Sequence, residues 1–374
     1  MGGDLVRLFL CGDVMLGRGI DQILPHPGDP GLRETYVRDA RTYVELAEEV
    51  GGAVPRPVGF AWPWGDALRV LDAAAPDARI LNLETSVTQC DDRARGKAVH
   101  YRMHPGNLPC LAAARPDVCA LANNHVLDHG RTGLEDTLVA LAAAGLRTAG
   151  AGRDLAGARR PAAVPLPGGG RLLVHSLAMA SSGVPHGWAA TAERSGVAFV
   201  AEPTHAAAAE VVDRIRRAKG PGDVTVVSIH WGSNWGYRVP GEQIGFAHAL
   251  VDGGADLVHG HSSHHPRPME VYRGRFIAYG CGDLVNDYEG IGGYTEFRDD
   301  LRLLYLVSVD PADGRLVDVR LVPLQSRRLR LRPVTDEDSR WLYEVLVRIC
   351  RGFGVQLGRE PDGAFRLTAA TTPP

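Results

Sequence analysis

Apolar runs and amphipathic stretches alternate along most of this chain. Strand-like runs, each closed by a polar or glycine-rich turn, occupy residues 5–13, 78–85, 118–124, 171–178, 223–232, 255–261 and 275–283. Between them, residues 64–75, 133–145, 204–220 and 242–254 repeat their apolar positions at helical spacing. Continuous apolar strands separated by helices predict an α/β fold whose sheets are covered on both faces. From residue 300 the pattern changes. Residues 300–335 read as antiparallel strands and 336–354 as a closing helix, with Asp336 expected as its N-cap. Residues 25–60, dotted with prolines around one helical stretch at 36–52, read as an insertion or lid. The whole of 1–374 is expected to form a single domain, ending in a disorder-prone "TAATTPP".

Composition narrows the function classes. Hydrophobic residues make up 45% and charged residues 23%, as in an ordinary soluble globular protein, and the net charge is -3. That balance argues against nucleic acid as a partner. The one basic run, "SRRLRLRP" at 326–333, alternates Leu with Arg and reads as an edge strand. No apolar stretch is long enough to span a bilayer, so no membrane partner is expected. The opening "MGGDLVRLFLCGD" reads as a first buried strand, with neither the basic flank nor the cleavage site of a signal peptide. The six cysteines are scattered without a Cys-x-x-Cys pair and read as buried small hydrophobes in a reducing compartment. A cytoplasmic protein is the expectation.

Chemistry enters with "HGHSSHH" at 259–265, which holds four of the 14 histidines. A His-rich surface turn would explain that stretch alone. The other strand ends point elsewhere: Asp13, Asn82 with Glu84, Asn123-Asn124-His125 and His230 each follow an apolar run. Open α/β sheets place their chemistry at the carboxyl ends of strands. Taken singly, a "GD" is usually a turn, "NNH" often a helix cap, and "SIHW" a core histidine. Together they supply carboxylate, amide oxygen and imidazole to one rim. Such a set suits one or two divalent ions: Mn, Zn or Fe, or Mg or Ca where oxygen dominates. No organic cofactor is expected.

The motifs "GDVMLGR" (12–18), "LNLETSVT" (81–88), "ALANNHVLDHG" (120–130), "IHWGSNWGYRVP" (229–240) and the long run from His259 to Gly290 resemble the CapA (poly-γ-glutamate synthesis protein) branch of the calcineurin-like metallophosphoesterase fold. The resemblance implies a metallo-dependent phosphatase-like α/β/β/α sandwich, two central mixed sheets flanked by helices. It also implies that Asp13, Glu84 and His261 hold one metal, and that Glu84 as bridge, Asn124, His230 and His259 hold a second. Two departures stand out. Val14-Met15 follow Asp13 where phosphoesterases carry Asp-x-His, and Glu84 replaces an aspartate.

Outside the metal set, His125 and Asp128 are three apart at a helix start and share a face. The resemblance gives that pair an acid or orienting role. Of His264 and His265, one is expected to act on substrate and the other to support it or face solvent. Arg18, Arg102 and Arg267 are candidates to clamp a carboxylate, with surface ion pairing as the alternative. Trp231 and Trp235 are expected to wall the pocket, with core packing as the alternative. Within the resemblance, the expected activity is metal-dependent epimerisation of a peptide α-carbon, as in the lasso-peptide C-terminal tryptophan epimerases. The substrate would be a peptide, with or without a leader-peptide-binding partner protein. The alternatives are metal-dependent hydrolysis of a peptide or γ-glutamyl amide or a phosphoester, and a non-catalytic role in poly-γ-glutamate or capsule synthesis.

Overall fold

Alternation along the first strand, Val6–Val14, divides the interior in two. Val6, Leu8 and Leu10 join an apolar cluster with Val174, Val226 and Leu257 of other strands. Phe9 and Cys11, on the opposite face, pack with helix residues Leu71, Leu134 and Leu141. A third cluster sets Val211, Ile215, Phe246 and Leu250 of two helices against Val227, Ile229 and Val258. Three apolar layers separate four layers of structure, helix, sheet, sheet, helix. The computed structural model, which describes residues 5–369, is therefore the α/β/β/α sandwich that the resemblance implied.

The first sheet runs Val355–Arg359, Phe365–Ala369, Leu316–Ser326, Leu301–Val309, Val6–Val14, Ala78–Leu83, Val118–Ala120, Arg147–Ala149. The second runs Phe199–Val200, Arg171–Met179, Val224–His230, Leu257–His261, Arg275–Ala278, Met269–Tyr272. Their central strands are parallel, so several carboxyl ends meet on one side of the molecule.

One predicted strand is two. Residues 275–283 split into Arg275–Ala278 in the second sheet and Asp283–Val285, which pairs with Val6–Val14 in the first. The chain crosses between sheets at a glycine contact. A Cβ on Gly12 would fall 1.7 Å from the Gly282 carbonyl oxygen, and Gly282 itself has φ 75°. Only glycine permits that approach and that backbone geometry.

Other boundaries shifted for local reasons. The closing helix spans Asp336–Ile349, and its N-cap is Thr335, whose side chain accepts from the Asp338 amide, not Asp336. A Val355–Arg359/Phe365–Ala369 hairpin follows, which the pattern did not predict; of the expected disordered tail, 370–374 lie outside the described residues. The basic run contributes only Leu331–Pro333, paired with Leu316–Ser326. Residues 25–60 form the helix Arg41–Gly51, and Val44, Ala47, Val54 and Val58 are buried in the main core, which ties this segment down. Among the described residues, no helix is long and apolar enough to cross a membrane.

Candidate metal centre

The site forms where strand tips of the two sheets meet. In Val224–His230 and Leu257–His261, Ser228 lies opposite His259 and His230 opposite His261. Residues two apart in a strand point to the same face, so all four side chains share one surface. The Nδ1 atoms of His230 and His261 are 2.9 Å apart, and His261 Nδ1 lies 3.8 Å from Asp13 Oδ1. Asp13, His230 and His261 each offer a ligand atom within 4.8 Å of the others, and all three are buried.

Asp13 is shared. On its other side, His264 and Asp283 complete a second group of the same compactness. His264 Nδ1 is 3.0 Å from Asp283 Oδ1, and Asp13 and Asp283 face each other in parallel register. The turn that brings His264 round passes through Ser262, whose φ of 99° is rare for a residue with a side chain and costs on the order of 1–3 kcal/mol. Its backbone N–H donates to Asp13 Oδ2 at 3.2 Å. Asn82 Nδ2 donates to Asp13 Oδ1 at 2.7 Å, and Asn123 Nδ2 donates to Asn82 Oδ1 at 3.0 Å.

Burial, then the neighbouring Asp283, raises the Asp13 carboxyl to about 7. Burial, with Asp13 beside it, likewise raises Glu84 well above the carboxylate range. Burial also pushes His230 and His261 far down, which leaves their imidazoles neutral with lone pairs available. Burial opposes charge on His264 too, but Asp283 outweighs it and raises that imidazole. Crowded carboxylates beside neutral imidazoles lack a counter-charge that a divalent cation would supply. The donor set fits such an ion.

Glu84 Oε1 lies 3.7 Å from His230 Nε2 and 3.8 Å from His125 Nε2. Asn124 Oδ1 lies 3.1 Å from His230 Nε2. Both expected ligands are therefore at the centre, outside the two compact groups. His125 turns its other nitrogen to Asp128, with Nδ1 2.5 Å from Oδ2. Burial lowers His125 to about 4, so it is neutral. Burial works against charge on Asp128, yet His125 and Lys97 hold it down at about 2. Lys97 Nζ touches Asp128 Oδ1 and the Asn124 carbonyl, and the Tyr101 amide donates to Asp128 Oδ2 at 2.7 Å.

Five of the expected site residues make other contacts, His265 and Trp231 among them taking up the supporting and core-packing alternatives. His259 Nε2 meets the Cys11 carbonyl at 2.7 Å, and its Nδ1 meets Ser228 Oγ at 3.1 Å, the same hydroxyl that meets His261 Nε2. His265 accepts from the Gly236 amide at Nε2 and bonds the Pro266 carbonyl at Nδ1; it holds a loop and has no nitrogen free for substrate. Arg18 is buried between Asp287 and Glu34 and over the Tyr43 ring, with no fork left for a ligand. Arg267 is buried with its Nη2 on Ser233. Trp231 is core, its Nε1 donating to the Tyr279 carbonyl. Trp235 does stand near the centre, its ring 5.3 Å from that of His264 and stacked on Tyr294 at 4.1 Å. Arg102 is partly open, with Nη1 on the Cys90 carbonyl at 3.0 Å and 3.4 Å from Asp91 Oδ1.

Asp283, Asn82 as an orienting group and Lys97 are additions from the structure. For Asp283 a signal was present: Cys11-Gly12-Asp13 recurs as Cys281-Gly282-Asp283, and the two tripeptides pair side by side. Lys97 had none, since a lone lysine in a polar loop reads as solvated.

A site of this kind, on this sandwich, places the chain in a recognisable class. The sequence profile of the bacterial capsule synthesis protein PGA_cap family matches residues 7–288, and the chain belongs to that family. It is 52% identical over 368 residues to a Mycobacterium tuberculosis protein named probable polyglutamine synthesis accessory protein, covering 98% of this chain and 97% of that one. It is 28% identical over 303 residues to the Bacillus subtilis PGA biosynthesis protein CapA, covering 81% of this chain and 68% of that one. Among solved structures, it is similar to a phosphatase from Mycoplasma pneumoniae, with a TM-score of 0.47 and 11% identity over 86% of this chain and 94% of that one.

Proposed function

We propose that this chain is an accessory protein of glutamyl-polymer synthesis that works through a divalent-metal centre, hydrolysing an amide bond of the polymer. The observation that carries this reading is the shared Asp13, with an imidazole-rich group on one side and Asp283 with His264 on the other. The relatives' names supply the setting. Asp13, His230 and His261, and Asp13, His264 and Asp283, would hold the metal. A divalent ion bound there supplies Lewis acidity toward a carbonyl and makes nearby water more acidic. The remaining work falls to the protein. His125, with Nδ1 committed to Asp128, presents Nε2 toward Glu84 and accepts the proton of the attacking water. It then returns that proton to the leaving nitrogen. Lys97 keeps Asp128 ionised, which holds His125 in that tautomer.

The tryptophan-epimerase expectation finds no support. The relatives are named for polyglutamine and PGA synthesis, and two of the residues expected to serve an epimerase, Arg18 and His265, are engaged with other groups. A second reading, a non-catalytic partner whose metal is structural, is favoured by the word "accessory" in the name of the 52% relative. One experiment separates the two. Metal-loaded protein is incubated with γ-linked glutamate polymer while new amino termini are counted. Hydrolysis predicts their release by the wild type and its loss in His125→Asn with metal content unchanged. No release by fully loaded wild type would sink the hydrolase and leave the structural partner.

A further inference from the structure

Beside the centre lies a polar cleft with a different character. Arg33, Arg93, Arg102, His100 and His129 line it, against the carboxylates of Asp29 and Glu34. Glu34 is already committed, accepting from Arg18 Nη1 at 2.9 Å and from the Tyr43 hydroxyl. Asp29 is held only by its own loop, Oδ1 accepting from the Gly31 amide at 3.0 Å; its side chain is 66% exposed and stands 3.7 Å from Arg102 Nη2, too far for a hydrogen bond. Arg93 is held by Asp91 at 3.0 Å and by the Gly31 carbonyl, while Arg33 is exposed and makes no ion pair among the described residues. The cleft also contains an unexplained group. His129 is 2% exposed, yet its Nδ1 meets no partner among the described residues. A buried polar atom left unpaired costs about 1–3 kcal/mol, a cost that a polar group of a ligand or a water in the cleft would relieve.

The cleft is continuous with the catalytic pair along the chain. His129 follows Asp128 directly. The segment that brings Arg93, His100 and Arg102 to the cleft is the one that sends Lys97 to Asp128 and the Tyr101 amide to the same carboxylate. A polymer whose bond lies at the metal centre would pass a neighbouring unit into this cleft.

We infer that the cleft is a subsite for a side carboxylate of the polymer, held by Arg102 and Arg33 in the place where Asp29 now stands. The inference rests on the function proposed above and names what that reading leaves open: the polymer is recognised as a polyanion, by a unit displaced from the bond that reacts. Guanidinium groups on a flexible carboxylate-bearing chain give attraction that salt weakens, so recognition should be ionic-strength dependent.

Binding tests it without requiring turnover. A short γ-linked glutamate oligomer and a glutamine oligomer of equal length are titrated into the metal-loaded protein by calorimetry at low and high salt. The inference expects the glutamate oligomer to bind, the glutamine oligomer to bind at least about tenfold more weakly, and salt to narrow the gap. Arg102→Gln should weaken the glutamate oligomer by about tenfold, as loss of a charge-assisted pair does. Arg33→Glu, an exposed position where refolding is not at issue, should weaken it in the same direction. Equal affinity for both oligomers, or unchanged affinity in both variants, overturns the subsite. The two proposals fail differently. Glutamate-selective binding with no bond cleaved keeps the cleft and removes the hydrolase, whereas cleavage with an unchanged KM in both variants keeps the hydrolase and removes the cleft.

Discussion

The two sides of Asp13 are built to different recipes. One side brings two neutral imidazoles, His230 and His261, from neighbouring strands of one sheet. The other brings a second carboxylate, Asp283, and a histidine that this carboxylate raises, through a chain that has just crossed between sheets. Nitrogen-rich and oxygen-rich surroundings favour different ions, the first the borderline transition metals and the second harder ones. The side built on regular strands is positioned by register alone. The crossing side depends on two glycines in contact and a strained Ser262. A centre assembled in these two ways can lose one side and keep the other, which is how it should be taken apart.

The largest effect is expected from Asp13→Ala, which removes the residue both sides share. Metal content measured by atomic absorption should fall to background, with activity lost together with it. His230→Ala and Asp283→Ala should instead each lose part of the metal. Equal and complete loss in both would show that the two groups form one indivisible site. Next in size is His125→Asn, which should keep the metal and lower turnover by about two orders of magnitude. A parallel loss of metal would make His125 a ligand. Asn82→Ala, which frees Asp13 from its 2.7 Å hydrogen bond, should weaken metal affinity by about 10–100-fold with the fold intact.

Smaller still is a pH effect confined to the metal-free protein. The Asp13 carboxyl, ordinarily at 3.8, stands at about 7 in the fold because of burial and Asp283. A raised carboxylate pKa means that the folded state holds its proton more tightly than the unfolded one. Its penalty is therefore absent below the ordinary value, grows as pH climbs, and is fully present above about 7. Chelated protein should melt lower at pH 8 than at pH 5, and Asp13→Asn should lose most of that difference. Metal loading should cancel or reverse it, because binding needs the deprotonated ligands. The smallest effect belongs to His265→Ala. Two hydrogen bonds to backbone are lost, each worth about 1 kcal/mol, so the melting temperature drops while metal content stays unchanged.

Sequence alone determined the class of fold and the raw material of the centre. Apolar strands ending in Asp13, Glu84, Asn124, His230 and His261 can be read without coordinates, because strand ends in α/β sheets converge and hydrophobic periodicity marks where each strand stops. What sequence could not decide was the direction in which each polar group points. His264 and His265 are neighbours, yet one faces Asp283 and the other closes on the Gly236 amide. Arg18 looked like a clamp until Asp287, 269 positions away, came to meet it. His259 shares its strand with His261, but the Cys11 carbonyl takes its nitrogen. Asp283 sat inside an apparently continuous strand until the chain changed sheets. In each case the deciding partner is distant in sequence, and a buried polar group is assigned by whichever partner desolvation leaves within reach.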